Sequence, residues 1–259
     1  MSSINNSSGS YASPSQAAVS ALPIGYVLNC RADWNSNSQI VIAIGSCRSD
    51  DNTEDIVVSA PLTVDITATG ANGRNVDTAE QANRWYAVYV IKNLGTGNVA
   101  GFLVNENDLA TFTWPPGYSK KRRIGWIRNN NSSNFRDGKY IGAGITRKWQ
   151  YNAEKTELAA LLGGNAVIFT DINLDGWVPP GQIGVEITGA REPAPSYTFC
   201  YFRANGSSIA TPVYFTYEYL AAAYHIEIYT DSSRIIEYQC ANAGDSLDVY
   251  VAAFYDDLI

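Results

Sequence analysis

One imidazole limits the chemistry open to this chain. His225 is the only histidine among 259 residues, and Ser-His-Asp or Cys-His relays need an imidazole to take the nucleophile's proton. It stands in Tyr224-His-Ile-Glu-Ile-Tyr229, which reads as a strand, so a packed and hydrogen-bonded side chain is expected rather than a catalytic one. Acid–base work by two carboxylates needs no histidine, but no spacing among the acidic residues singles out a pair. The four cysteines, Cys30, Cys47, Cys200 and Cys240, contain no Cys-x-x-Cys spacing, which removes the usual ground for a zinc site. Three disulfide pairings stay open; small buried thiols are the expectation for a chain made in a cytoplasm. Asp171-Ile-Asn-Leu-Asp175-Gly176 matches the first half of a calcium loop, but the twelfth position is Gln182 and not a carboxylate. That stretch reads as a strand end running into an Asp-Gly turn. Phosphate-cradling glycine motifs are absent from the sequence as well. The expectation is no catalytic residue, no metal site and no cofactor.

The charged residues admit two readings each. Lys120-Lys-Arg-Arg123 suits a phosphate patch, or a hairpin end whose cations meet an acidic rim. Asp50, Asp51, Glu54 and Asp55 suit a cation site, or that same solvated rim. A net charge of -7 favours the rim and argues against a nucleic-acid partner. No apolar run approaches the ~20 residues that cross a bilayer, so membrane insertion is not expected. The chain has 17 tyrosines beside 8 phenylalanines and 6 tryptophans. Exposed tyrosines anchor interfaces at low entropic cost, and Tyr197, Tyr201, Tyr214, Tyr217 and Tyr219 are the pool for receptor or subunit contacts. Their alternation through strands favours packing within the sheets and subunit seams.

These side chains must be carried by strands. Aromatic and β-branched residues with frequent Gly, Asn and Ser turns favour an all-β protein. Arg84 to Lys92 is the clearest strand. Trp85, Ala87, Tyr89 and Ile91 share one face, and Tyr86, Val88 and Val90 the other. Both faces are apolar, which predicts cover on both sides. Pro115-Pro-Gly117 then turns the chain into a strand in which Ile124, Trp126 and Arg128 alternate with Arg123, Gly125 and Ile127. Upstream, Ile40, Ile42 and Ile44 line one face of Gln39 to Gly45. Thr78 to Asn83 could form one helical turn. Ala153 to Leu162 has helix-favouring composition, yet the reading adopted is a strand over Thr156 to Leu162. Seven further strands follow between Ala166 and Tyr255 at a spacing that suits a sandwich or jelly roll.

The pattern Trp85-Tyr-Ala-Val-Tyr-Val-Ile91, Pro116-Gly-Tyr118 and Arg122-Arg-Ile-Gly-Trp-Ile-Arg128 resembles a module of bacteriophage virion proteins, especially tail fibres and related surface components. Gly45-Ser-Cys-Arg48, Asp55-Ile56 and Gly70-Ala-Asn-Gly73 extend the likeness upstream. Ile228 to Tyr238 and Ala243 to Asp256 resemble the closing hairpins of the same proteins. The likeness spans roughly Leu22 to Ile259 at the level of pattern, and Ala153 to Leu162 fits it least. It implies a non-enzymatic virion structural protein, most of all a tail-fibre or tail-associated component, with a head-surface fibre or decoration protein as the alternative. It also implies a homotrimer, contacts with other virion proteins and with a host surface glycan, and a place in the virion after synthesis in the host cytoplasm. A carbohydrate-binding module or glycan-degrading enzyme is the alternative of another class.

The organisation expected is all-β. Residues 1–21 form a polar arm, 22–144 an N-terminal antiparallel β-sandwich module, and 145–259 a C-terminal jelly-roll-like module. The arm carries Ile4, Tyr11 and Val19 as its anchors and no charged or apolar leader pattern over Met1 to Ser20. Alone it buries too little apolar surface to offset the entropy of ordering. It is either disordered or ordered on a neighbouring subunit.

Overall fold

A computed structural model describes residues 22–181, 183–191, 198–209, 213–217 and 223–258. The arm anchors Ile4, Tyr11 and Val19 lie outside them, as do Tyr197, Tyr219 and Gln182. The described chain is all β apart from two short 3-10 turns.

The first half holds ten strands: β1 (Val27–Asn29), β2 (Ala32–Ser36), β3 (Gln39–Ile42), β4 (Gly45–Arg48), β5 (Asp55–Val58), β6 (Leu62–Asp65), β7 (Gly73–Arg74), β8 (Arg84–Asn93), β9 (Val99–Asn105) and β10 (Tyr118–Asn129). They make three sheets, in the orders β1-β4-β5, β2-β3-β6 and β10-β8-β9-β7. β8 is covered on both sides, as its two apolar faces require: Trp85, Tyr86, Ala87, Val88, Val90 and Ile91 are all buried. Ile91 joins Ala100, Phe102 and Val104 in a small second core under Phe112 and Trp114. The Lys121 ammonium sits 4.4 Å over the Trp114 ring, a cation–π contact.

The second half holds β11 (Gly138–Ile141), β12 (Thr146–Tyr151), β13 (Ala159–Gly164), β14 (Thr170–Asn173), β15 (Gly184–Arg191), β16 (Thr198–Ala204), β17 (Val213–Tyr217), β18 (Ala223–Tyr229), β19 (Ile235–Cys240) and β20 (Leu247–Asp257). One sheet runs β13-β20-β15-β18 and the other β14-β19-β16-β17. Numbered from β13, these orders are first-eighth-third-sixth and second-seventh-fourth-fifth, the strand order of a jelly roll. β20 is long enough to take two partners on one edge. β13 pairs with its first half and β12 with its second. β11 pairs with β12 and also donates the Tyr140 amide to Asp33 of β2 at 2.8 Å.

The two halves share one continuous apolar core. At their junction Trp85 meets Phe254 edge-on at 5.5 Å. Trp85 also donates its indole N–H to the Asp175 carbonyl at 2.7 Å, so the strand that dominates the sequence is tied into the other half.

Four local expectations change. Ile44 does not share the face of Ile40 and Ile42: it is 54% exposed. The chain leaves one sheet at Ile42 and enters another at Gly45, where a Cβ would lie 2.4 Å from the Leu28 carbonyl oxygen. The strict alternation in β10 breaks at Ile124, where Arg123 pairs with Tyr89 but Gly125 pairs with Val88. That extra residue is a β-bulge, which bends its strand and re-aims the side chains beside it. Thr78 to Asn83 makes bends and turns with no helix. Lys155–Leu158 is a 3-10 turn, and the strand begins only at Ala159, because β20 offers an open edge there.

Candidate functional site

The outward face of the β12-β20-β15-β18 sheet collects charged and hydroxyl side chains from four strands. Period-two alternation puts Ile226 and Ile228 inward and His225, Glu227 and Tyr229 outward on β18. The register sets Glu186 opposite Glu227 and Thr188 opposite His225, and Lys148 opposite Tyr255. Glu186 lies at the centre and is buried under its neighbours. One of its oxygens accepts from Lys148 Nζ at 2.8 Å and from the Tyr255 hydroxyl at 2.7 Å. The other lies 2.9 Å from His225 Nε2. Burial alone raises a carboxyl pKa; here the hydrogen bonds from Lys148, Tyr255 and His225 and the Lys148 charge outweigh it and hold Glu186 below the usual range. The Tyr255 oxygen is also 2.5 Å from Glu227 Oε1. A phenol has one proton to donate, so the two carboxylates share it. Burial first, then those carboxylates, push the Tyr255 pKa far up.

A groove of about 380 Å³ opens beside this cluster, lined by Thr146, Ile183, Glu227, Tyr229, Tyr255 and Asp257 among others. Tyr229 is 65% exposed. An aromatic face flanked by carboxylates and hydroxyls can stack on a sugar ring and accept hydrogen bonds from its hydroxyls. As a general acid Glu186 is poorly set. Glu186 has both oxygens occupied and a lowered pKa, the reverse of what a general acid near neutral pH needs.

A second polar cluster lies on the seam between the halves. Asp256 is fully buried. It accepts from Arg123 Nη1 at 2.7 Å and from the Tyr140 hydroxyl at 3.1 Å. The Tyr140 oxygen in turn accepts from the Trp126 amide at 2.8 Å. Burial acts to lower the Arg123 pKa, and the Asp256 charge, the Asp256 hydrogen bond and the nearby Tyr140 and Tyr89 together more than offset it. Arg122 donates to the Leu258 carbonyl and to Gly25 O at 3.2 Å. Arg147 is buried and donates to the carbonyls of Asn29, Cys30 and Gly144. Asn29 and Cys30 both have left-handed φ, 55° and 54°, which turns two successive carbonyls toward that guanidinium. Each group in this cluster is committed to a protein partner, so the seam works as a clamp.

The basic run therefore meets the acidic rim. Lys120 pairs with Asp51 at 2.6 Å and Arg122 with Asp50 at 3.6 Å. Lys92 pairs with Glu54 at 2.9 Å and Arg48 with Asp55 at 2.7 Å. His225 is a correction: it is exposed on a sheet face and hydrogen-bonded to Glu186, not packed. The same alternation that buries Ile226 and Ile228 already put it outside. Of the tyrosine pool, Tyr201 is half-buried with its ring 5.8 Å from Phe199. Tyr214 and Tyr217 lie on β17 opposite Tyr201 and Thr198. The sequence reading missed Glu186, Lys148, Tyr229 and Tyr255, since they come together only through strand register. All four cysteines are buried thiols. The chain matches no protein-family model and no curated protein.

Proposed function

We propose that the chain is a non-enzymatic structural protein of a bacteriophage virion, of the tail-fibre or tail-associated type, acting in assembly and host attachment as a homotrimer. The observation that supports this reading is how the charged groups are spent. The basic run, the acidic rim and Asp256 are engaged in bonds that tie separate sheets and loops together, and Glu186 is held by side chains of neighbouring strands in its own sheet. Such a body supplies cohesion, and attachment falls to its exposed faces and to the arm of residues 1–21. An image reconstruction of the whole particle tests the placement. Density for this chain on the tail supports the reading, and density on the head moves it to a decoration protein. A sedimenting mass other than three chains rejects the trimer. Deleting Met1 to Ser20 is expected to abolish incorporation into particles while far-UV circular dichroism of the β domains stays unchanged; normal incorporation rejects the arm.

The groove beside Tyr229 favours a second reading, a carbohydrate-binding face. A panel of soluble bacterial surface polysaccharides is the probe. Binding by the native chain that falls at least about tenfold in Tyr229→Ala, as expected for loss of an aromatic anchor, with unchanged thermal stability, supports it. Shortening of the polysaccharide on incubation would overturn the non-enzymatic reading.

A further inference from the structure

We propose that Cys200 and Cys240 form a built disulfide site that closes within the native jelly roll when the chain meets a peroxide. The two residues face each other directly on β16 and β19. Their pair type follows from the backbone. The Ala241 amide donates to the Phe199 carbonyl at 2.9 Å, whereas the Cys240 amide turns away to Ala166 O at 2.7 Å. Cys200 and Cys240 are therefore a non-hydrogen-bonded pair, the type whose Cα atoms approach to about 4.5 Å. That separation falls at the near end of the range a disulfide spans. The Cys200 thiol already points at the Cys240 sulfur, 3.3 Å away, and Cys240 Sγ lies 3.6 Å from the Gly164 carbonyl. A bond of about 2.05 Å closes the 3.3 Å gap between the two sulfurs. The other two cysteines lack this register, since Cys47 pairs with Val27 and Cys30 lies beyond the Asn29 to Gly45 pairing.

The oxidation balances with hydrogen peroxide as the oxidant. One thiol, as thiolate, attacks a peroxide oxygen. An S–O bond forms, the O–O bond breaks, and the departing hydroxide takes up the thiol proton as water. The second thiolate attacks the sulfenic sulfur. The S–S bond forms, the S–O bond breaks, and a second water leaves. Two thiols lose two electrons, and one peroxide becomes two waters. Both sulfurs are fully buried, so a small oxidant is required.

Trypsin separates all four cysteines, because Arg31, Arg48, Arg191, Arg203 and Arg234 lie between or beside them. The full native chain is treated with hydrogen peroxide, alkylated and digested, with a parallel sample treated in denaturing urea. The expected product is residues 192–203 joined to residues 235–259, two hydrogens lighter than the separate peptides and split by a reductant. It should form in the native sample at least as completely as in urea. The bridged chain should also keep its β circular dichroism. Three results would overturn the site: both peptides alkylated after native oxidation, a bridge from Cys200 or Cys240 to Cys30 or Cys47, or the expected bridge formed only in urea.

Discussion

At the scale of single residues, burial decides which charges matter. Asp256 is sealed and holds both Arg123 and Tyr140. Asp256→Asn keeps the shape but leaves a guanidinium facing a neutral amide, and is expected to cost roughly 3 kcal/mol, as for other broken buried pairs, read as a fall in the urea midpoint. Lys120 makes a shorter contact, 2.6 Å to Asp51. Water surrounds that carboxylate, so Lys120→Ala should leave the midpoint unchanged within error. Glu186 belongs with Asp256, because its low pKa depends on three donors. A carboxyl whose folded pKa is depressed adds stability above its unfolded pKa and loses it as pH falls through the folded one. Asp55, Asp65 and Asp231 are depressed too, whereas burial raises Asp50, which acts in the opposite sense. Stability should therefore fall on acidification from about pH 5 to about pH 3. Glu186→Gln should flatten part of that fall in a series of urea titrations.

At the scale of elements, β10 shows how a local irregularity places a distant contact. The bulge at Ile124 lets Arg122 and Arg123 reach the end of β20 while Trp126 and Ile127 stay in the core. Gly125, next to the bulge, is where the Tyr140 ring rests. A Cβ there would lie 2.7 Å from Tyr140 Cε2 and 2.8 Å from its hydroxyl oxygen. Gly125→Ala must displace the ring that links Trp126 to Asp256. An overpacking cost of about 1–3 kcal/mol is expected, with a loss of near-ultraviolet circular dichroism from the aromatic cluster. An unchanged midpoint would show that the ring moves freely. β13 makes a different point. Ala153 to Leu162 has the composition of a helix, yet Ala159–Gly164 is a strand. The unpaired edge of β20 offers backbone hydrogen bonds that outweigh a propensity of a few tenths of a kcal/mol per residue.

At the scale of the molecule, the question is whether the two halves unfold together. They share a core, the Asp256 clamp, and a second tie in which Arg234 meets Glu106 at 3.0 Å. A single cooperative thermal transition is expected for the chain. Trp85 reports on it best, since its ring packs on Phe254 and its N–H is held by Asp175 O. Trp85→Ala should cost about 3–5 kcal/mol, and calorimetry should show the single transition lowered or split into two. A change confined to one half, with the other unaffected, would argue that the halves are independent. The exposed sheet face around Tyr229 contributes little to this cohesion and is free to differ without loss of the fold.

Local pattern in the chain was enough for the all-β class, the strand at Arg84 cased in on both faces, the jelly-roll-like second half, and the meeting of Lys120 and Arg122 with the acidic rim. Period-two alternation and charge complementarity carry that information within a few residues. Tertiary structure alone decided which distant side chains share a sheet face. Glu186, His225, Lys148 and Tyr255 come from four strands, and their meeting depends on register. A slip of one residue sends a side chain to the opposite face. The same holds for Cys200 beside Cys240 and Asp256 beside Arg123. In each case the partners are far apart in the chain, and only the order of strands in the folded sheets brings them within bonding distance.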